Sequence, residues 1–444
     1  MDGVSRKCRI TGQKFVVSGD ESAHLRRMGE LNPQLGELLP LPRVHPFEHL
    51  RQLLALGNLN YLYRSQSGCS GKPQLSRYNP DYGYKICTLD EFWSERIDNT
   101  EFGAGYDFTR PFFEQFDELL RRVYMQPLNL TNAEGSDYVN GANNVRNCYL
   151  CFSVAESQDC FYCIRQYFGN DNAGCVGSNR SQFCYDCVDI DGCCECHHGQ
   201  DLRSCGGCFG CFDCAGCKNC VGCVGLRSTE FCIFNEQKTK KEYEQFLQQY
   251  NLGRHGSRMD LLERCAQFIQ SFPHQPSRLI NAEDCSGSYI TNSKNLHQCC
   301  NASTSQDCGY MVLCNKSKDC WRGFAINSEL AYASLVLDSY NNLYSYSVFG
   351  GGHTLYSWFL YQNCAHCFGC AFLRGKSYCV LNKQYTKDEY LALLPRIAAH
   401  MKATGEWGEF FPPAISPHAY GESWTGEFLA PIASNEAARR GYRV

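Results

Sequence analysis

Apolar positions recur every two residues in a half-buried strand and every 3.6 in a helix. Between Cys148 and Cys232 of this chain they recur every three. Eighteen cysteines lie in that stretch, and all but Cys194 share one class modulo three. The other members of the class are mostly small or apolar, among them Val154, Ser157, Ser178, Ser181, Ile190 and Leu202, with Gln166 and Asn172 as polar exceptions. A twelve-residue period lies over the three. One row reads Cys148, Cys160, Asn172, Cys184, Cys196, Cys208, Cys220, Cys232, and the next reads Cys151, Cys163, Cys175, Cys187, Gly199, Cys211, Cys223. A strict three predicts a narrow solenoid whose short sides each send one residue inward. Successive coils would pair as parallel strands roughly 4.8 Å apart. Gln166 and Asn172 would then need hydrogen bonds to neighbouring coils. The class runs back through Val145, Ala142 and Val139, so the first solenoid is expected over 136–237.

A phrase from this array returns 147 residues later. Cys220–Arg227, Phe231–Asn235 and Thr239–Tyr243 recur as Cys367–Arg374, Tyr378–Asn382 and Thr386–Tyr390. Such an offset marks an internal tandem duplication. A second, degraded solenoid is expected over 284–384, with Ile290, Ser293, Leu296, Cys299, Ala302, Ser305, Cys308, Met311, Cys314, Ser317 and Cys320 inward. Its phase is lost between 327 and 361, where Val336, Ser339, Val348 and Thr354 are candidates for the inward class. Amphipathic helices follow each array, over 242–250 with 258–272, and over 388–402. They are expected to cap the open ends within a connection at 238–283 and a C-terminal segment at 385–444. Residues 1–135 form a small α+β region with a helix from Thr109–Arg–Pro111, where Thr caps and Pro takes the first turn. The fold class is therefore mainly β: tandem narrow parallel β-solenoids with inward cysteine ladders, capped by α-helices.

Two adjacent outer rows are apolar and aromatic. Tyr149, Phe161, Tyr185 and Phe209 lie in one; Phe152, Ile164 and Phe212 lie in the other. Rows of that size predict a contact with a protein partner or with another copy of the chain. The coil geometry is similar to the twelve-residue β-helices of beetle antifreeze proteins, but their outer threonines are missing here.

A formal net charge of −4 with no dense basic run disfavours nucleic acid as the partner. No apolar run approaches a membrane span, and no secretory signal is visible, so a cytoplasmic protein is expected. In that compartment the 32 cysteines should stay reduced or bind metal. Core packing is the favoured role, with Cys184→Ser expected to cost about 1–3 kcal/mol by burying a hydroxyl. The alternatives are a metal or thiol-redox module using zinc, Cu(I) or an iron–sulfur cluster, and disulfides such as Cys205–Cys211 and Cys217–Cys223. No convergent polar site points to an enzyme. A non-enzymatic structural or interaction protein is the expectation.

The N-terminal region carries Cys8–Arg–Ile–Thr11–Gly12, then His45–Pro46, Cys69 and Cys87. With Arg110–Phe116, Asn147–Leu150, Cys367–Cys370 and Asn382–Tyr385, these phrases resemble an uncharacterised cysteine-rich family of small-genome uncultivated bacteria. Its members join ribbon-like zinc knuckles to Cys/Asn-rich repeats. The resemblance implies a zinc site, for which Cys8, His45, Cys69 and Cys87 are the candidate ligands. The chain departs from the pattern, with Thr11 in place of the second knuckle cysteine and Cys69 off register, and a metal-free remnant is the competing expectation.

Overall fold

The computed structural model describes residues 3–444. The chain is mainly β and forms two compact units: Leu128–Gln275, and Met1–Pro127 together with Pro276–Val444.

In the Leu128–Gln275 unit, six parallel strands run in sequence order from Leu130–Glu134 to Val188–Asp191. Each pairs with the residues twelve further on, as in Phe152 with Ile164, Ile164 with Val176 and Val176 with Val188. Single-residue bridges carry the same offset on to Val221 and Ile233. Pairing starts at Leu130 with Ala142, ahead of the Ser136 start expected from the sequence.

The three-residue period has a backbone cause. Tyr149 N–H donates to Cys160 O at 3.0 Å, one step on, and Leu150 N–H donates to Asp137 O at 3.2 Å, one step back. The N–H of the third residue, the inward one, is turned into the core. Residues such as Leu150, Ser153, Glu156 and Asp159 hold φ near +50° (51°, 57°, 50° and 52°) to make each corner. For a residue with a Cβ that conformation costs about 1–2 kcal/mol, least where Asn or Asp can bond locally. Hence Asn147, Asp159, Asp186, Asp213 and Asn219 stand directly before inward cysteines, and glycines fill Gly207, Gly210, Gly216 and Gly222.

The ladder ends in the hairpin Cys232–Ile233/Glu236–Gln237. The helices that follow are Lys240–Tyr250, with a Thr239/Glu242 capping box, and His255–Gln270. They do not serve only as an end cap. Tyr243, Leu261 and Cys265 lie along the outer row formed by Phe209, Val221 and Ile233 and bury it.

The other unit carries a fourteen-stranded sheet, parallel except for the closing hairpin Ser377–Val380/Lys383–Gln384. All eleven inward candidates from Ile290 to Cys320 are buried. Beyond them the step changes. Cys320 pairs with Ala331 and Ala331 with Asn342, eleven residues each; Asn342 pairs with Thr354 after twelve, and Thr354 with Cys367 after thirteen. The short steps lose one residue on a single side: Gly323–Ile326 and Ser334–Leu337 contain no left-handed residue. The ladder thus continues through 327–361, with Val336, Ser339, Val348 and Thr354 buried.

Outer residues of this sheet, including Trp321, Tyr332, Trp358 and Phe368, are buried against the helices Gly19–Leu31, Phe112–Arg122 and Lys387–Ala403. The Phe112–Arg122 helix starts differently from the expectation. Thr109 bonds Asp107, Pro111 occupies the cap position, and the Glu406 carboxylate accepts from Phe112 and Phe113 N–H at 2.9 and 2.8 Å. Among the described residues no helix is long and apolar enough to cross a membrane.

Candidate functional site

Two N-terminal hairpins carry the same loop. Gly12 N–H donates to Cys8 O at 2.8 Å, and Cys8 N–H to Gln13 O at 2.8 Å. Gly71 N–H donates to Ser67 O and Ser67 N–H to Lys72 O, both at 2.9 Å. Cys8 and Thr11 therefore correspond to Ser67 and Ser70, and exposed Cys69 falls between the ligand positions. Ser67 Oγ accepts from the N–H groups of Cys69 and Ser70 at 3.1 and 3.3 Å and donates to Glu91 at 2.5 Å. That hydrogen bond, with others from Ser70 and Thr88, holds the Glu91 carboxyl at about 2. A hydroxyl–carboxylate network occupies the second knuckle. Its signal in the sequence is the shared spacing of Cys8–x–x–Thr11–Gly12 and Ser67–x–x–Ser70–Gly71.

The four candidate ligands form two pairs. Burial raises the Cys8 thiol, but the backbone of His45 and the Thr11 hydroxyl outweigh it and hold it below its ordinary value. His45 Nδ1 caps the Pro46–Leu54 helix by accepting from Phe47 N–H at 3.3 Å. Cys69 and Cys87 face each other, and burial pushes both thiols up. Among the described residues no three His, Cys, Asp or Glu side chains converge as metal ligands. With hydroxyls at Thr11, Ser67 and Ser70, the donors do not fit a closed four-ligand zinc site.

Cys148, Cys151, Cys160, Cys163, Cys175, Cys184, Cys187, Cys196, Cys208, Cys211, Cys220, Cys223 and Cys232 are all buried. All 32 cysteines are free thiols, including the pairs Cys205–Cys211 and Cys217–Cys223. The thiols meet the inward backbone. Cys151 Sγ lies 3.4 Å from Tyr149 O and 3.2 Å from Cys160 O, two acceptors for its one hydrogen, and it accepts Cys163 N–H at 3.4 Å. Cys187 accepts Gly199 N–H, and Cys211 accepts Cys223 N–H, each at 3.4 Å. Other polar side chains take the same part. Asn172 Oδ1 accepts Cys184 N–H at 2.9 Å, and Ser181 Oγ accepts Cys193 N–H at 3.1 Å. In the second array Ser293, Ser305, Ser317 and Ser328 each accept the N–H of the next serine up the ladder, at 3.1, 3.2, 3.3 and 3.2 Å. Val154, Ile190 and Leu202 fill the class with no acceptor to offer. Gln166, expected to find partners, is buried with neither amide atom bonded. Burial pushes the thiols of Cys217, Cys232, Cys299 and Cys308 up. A thiol held protonated is a weak nucleophile and a weak ligand, whereas hydrogen bonds from neighbouring thiols hold Cys148, Cys175, Cys205 and Cys220 below their ordinary value.

Of the expected outer interface, Tyr149, Phe161 and Tyr185 are exposed at 37%, 44% and 42%, and Ile164 and Phe212 are half-buried. Phe152 and Phe209 are buried. Phe209 is therefore not open to a partner, because helices of its own unit cover it. Corner glycines admit those helices. A Cβ on Gly210 would stand 2.8 Å from Cys265 Sγ, and one on Gly222 would stand 3.0 Å from it. At Gly369, 147 residues after Gly222, a Cβ would stand 2.6 Å from the Phe112 ring.

No family model and no curated protein matches the chain. Among solved structures, a chain of Desulfovibrio desulfuricans G20 provisionally described as an acetyltransferase is similar to it at 7% identity, with a TM-score of 0.12. The similarity covers 53% of this chain and 64% of that one, so the chain spans less than two thirds of its neighbour's length. A likeness this slight says nothing about fold or chemistry.

Proposed function

We propose that the chain is a non-enzymatic interaction scaffold built from two tandem β-solenoids with inward polar and thiol ladders. The observation that carries this reading is the use of the thiols. Triplets turn one N–H into the core, and at several steps cysteine, serine or asparagine one coil earlier accepts it, as Cys151, Ser181 and Asn172 do. Sulfur so placed is engaged by the backbone. The twelve-residue register and the matched contacts 147 residues apart support a duplicated solenoid. Asn235 clasps the backbone of Val224, and Asn382 clasps that of Ala371 in the same way. Free thiols suit a reducing cytoplasm. Apolar outer rows, without a basic face, suit a protein partner rather than nucleic acid or membrane.

Thiol counting with metal analysis on purified protein tests this. In the native state a thiol reagent should modify Cys69 and the part-exposed Cys194, Cys285 and Cys300, with the remainder reacting only after unfolding. A full titre on unfolding, without stoichiometric metal, is the expected result. Copurified zinc or copper released together with the ladder thiols, or a shortfall showing disulfides, would overturn it.

A further inference from the structure

We propose that the open part of the first outer row, from Tyr149 to Tyr185, is the docking site for a basic amphipathic α-helix of another protein; this rests on the scaffold reading and names its partner. The row is mostly apolar, with Asp137 and exposed His197 as its polar members, and its later part is already a helix-binding surface. Phe209, Val221 and Ile233 are buried under the Lys240–Tyr250 and His255–Gln270 helices. That cover ends near Tyr185, where the Arg258 guanidinium stands 5.8 Å from the ring centre. Tyr149, Phe161 and Tyr185 continue the same row in the open.

The shape that receives a helix is also repeated there. Gly174 stands 36 residues before Gly210 and 48 before Gly222, in the same corner series. At Gly210 Cys265 of the docked helix fills the space where a Cβ would be, and at Gly222 the Phe234 ring fills it, with Cys265 Sγ 3.0 Å away. At Gly174 the nearest atoms belong to Asp186, at 3.6 Å, and no helix occupies the space. Gly174 and half-buried Ala173 thus leave a notch between the Phe161 and Tyr185 rings. The three steps from Tyr149 to Tyr185 span about 14 Å, the length of a helix of about ten residues.

Charge selects the occupant. The row and its two bordering corners carry Asp137, Asp159, Asp171, Asp186 and Glu195 from residue 137 to 198, and no lysine or arginine; of these Asp186 already meets His198 Nδ1 at 2.8 Å. A second copy packed face to face would bring these carboxylates together, whereas Lys or Arg flanking an apolar stripe would meet them. A strand is not the occupant, because the backbone of this row is spent within the ladder: Tyr149 N–H goes to Cys160 O, and Phe161 N–H to Asn172 O. Helix-in-groove recognition remains.

The test uses the full chain and three labelled sixteen-residue peptides in fluorescence anisotropy. The first has leucines at i, i+3, i+4 and i+7 spacing with lysines elsewhere; the second has glutamates for the lysines; the third keeps the lysines but has serines for the leucines. The first should bind in the micromolar range, and the other two at least about tenfold more weakly. Phe161→Ser should weaken the first about tenfold, and Ala173→Arg, which fills the notch and adds a positive charge, should abolish binding. Both sites are at the surface, and circular dichroism checks that the variants fold. Equal binding by all three peptides, no binding by the first, or undiminished binding by the variants would overturn the proposal. So would a dimer in light scattering that Phe161→Ser converts to monomer, since a second copy would then hold the face. If the peptides fail while the thiol titre stands as expected, the helix partner is lost and the scaffold reading is kept.

Discussion

Arg322→Met should cost about 3–5 kcal/mol of folding stability, the usual penalty for stranding one member of a buried ion pair. Arg322 and Glu21 are both fully buried. The guanidinium reaches both Glu21 oxygens and donates to Val44 O at 2.8 Å, while Tyr332 Oη donates to Glu21 at 3.0 Å. The pair ties the Gly19–Leu31 helix to the outer face of the fourteen-stranded sheet, within one compact unit. Removing Arg322 leaves Glu21 with a single neutral donor. Removing both charges, as Arg322→Met with Glu21→Met, should cost less than the sum of the single changes, because the stranded charge disappears. Urea unfolding of the two single variants and the double variant measures the coupling. A single-variant loss under about 1 kcal/mol would mean that the pair is solvated and does not hold the helix.

Asn382→Ala should cost about 2–4 kcal/mol, and Asn235→Ala, its counterpart 147 residues earlier, about half as much. Asn382 is fully buried at φ 62°. Its amide accepts Ala371 N–H at 2.8 Å and donates to Ala371 O at 2.9 Å and Asn99 O at 3.1 Å. Alanine removes all three bonds and worsens a left-handed backbone. Asn235 makes the same two bonds to Val224, at 2.8 and 2.9 Å, but is only half-buried, so water can replace them. Asn382→Gly separates the two causes, since it relieves the backbone and still loses the bonds. Equal losses at both asparagines would show that burial does not set the difference.

The inward class was legible because a fixed step of twelve keeps it in one register from Val139 to Cys232. It faded where steps of eleven and thirteen shift the register and where Ala325, Val336, Val348 and Leu360 take the inward places, aliphatics that mark no period. The left-handed corner was also written in the chain, as Asn, Asp or Gly before cysteine, but the cysteines obscured it. What covers the outer rows was not legible. Nothing local in Phe112–Phe116 or Leu261–Cys265 names the surface they bury, since helix amphipathicity shows that a face is covered and not by what. The knuckle loops were visible at Cys8 and hidden at Ser67, because serine carries no ligand signal although its backbone makes the same turn.

The central claim is that cysteine holds the inward positions as a hydrogen-bonding group and not only as a small hydrophobe. Cys211 tests it most directly: its sulfur accepts Cys223 N–H at 3.4 Å and stands 3.6 Å from Phe209 O and 3.5 Å from Cys220 O. Serine keeps both functions, as the serines of the second array do. Valine keeps the apolar character and loses both. Paired urea unfolding of Cys211→Ser and Cys211→Val should therefore show valine less stable than serine by about 1–3 kcal/mol, the cost of a buried N–H left without an acceptor. Valine matching the native protein while serine loses about 1–3 kcal/mol, as simple apolar packing requires, would contradict the claim.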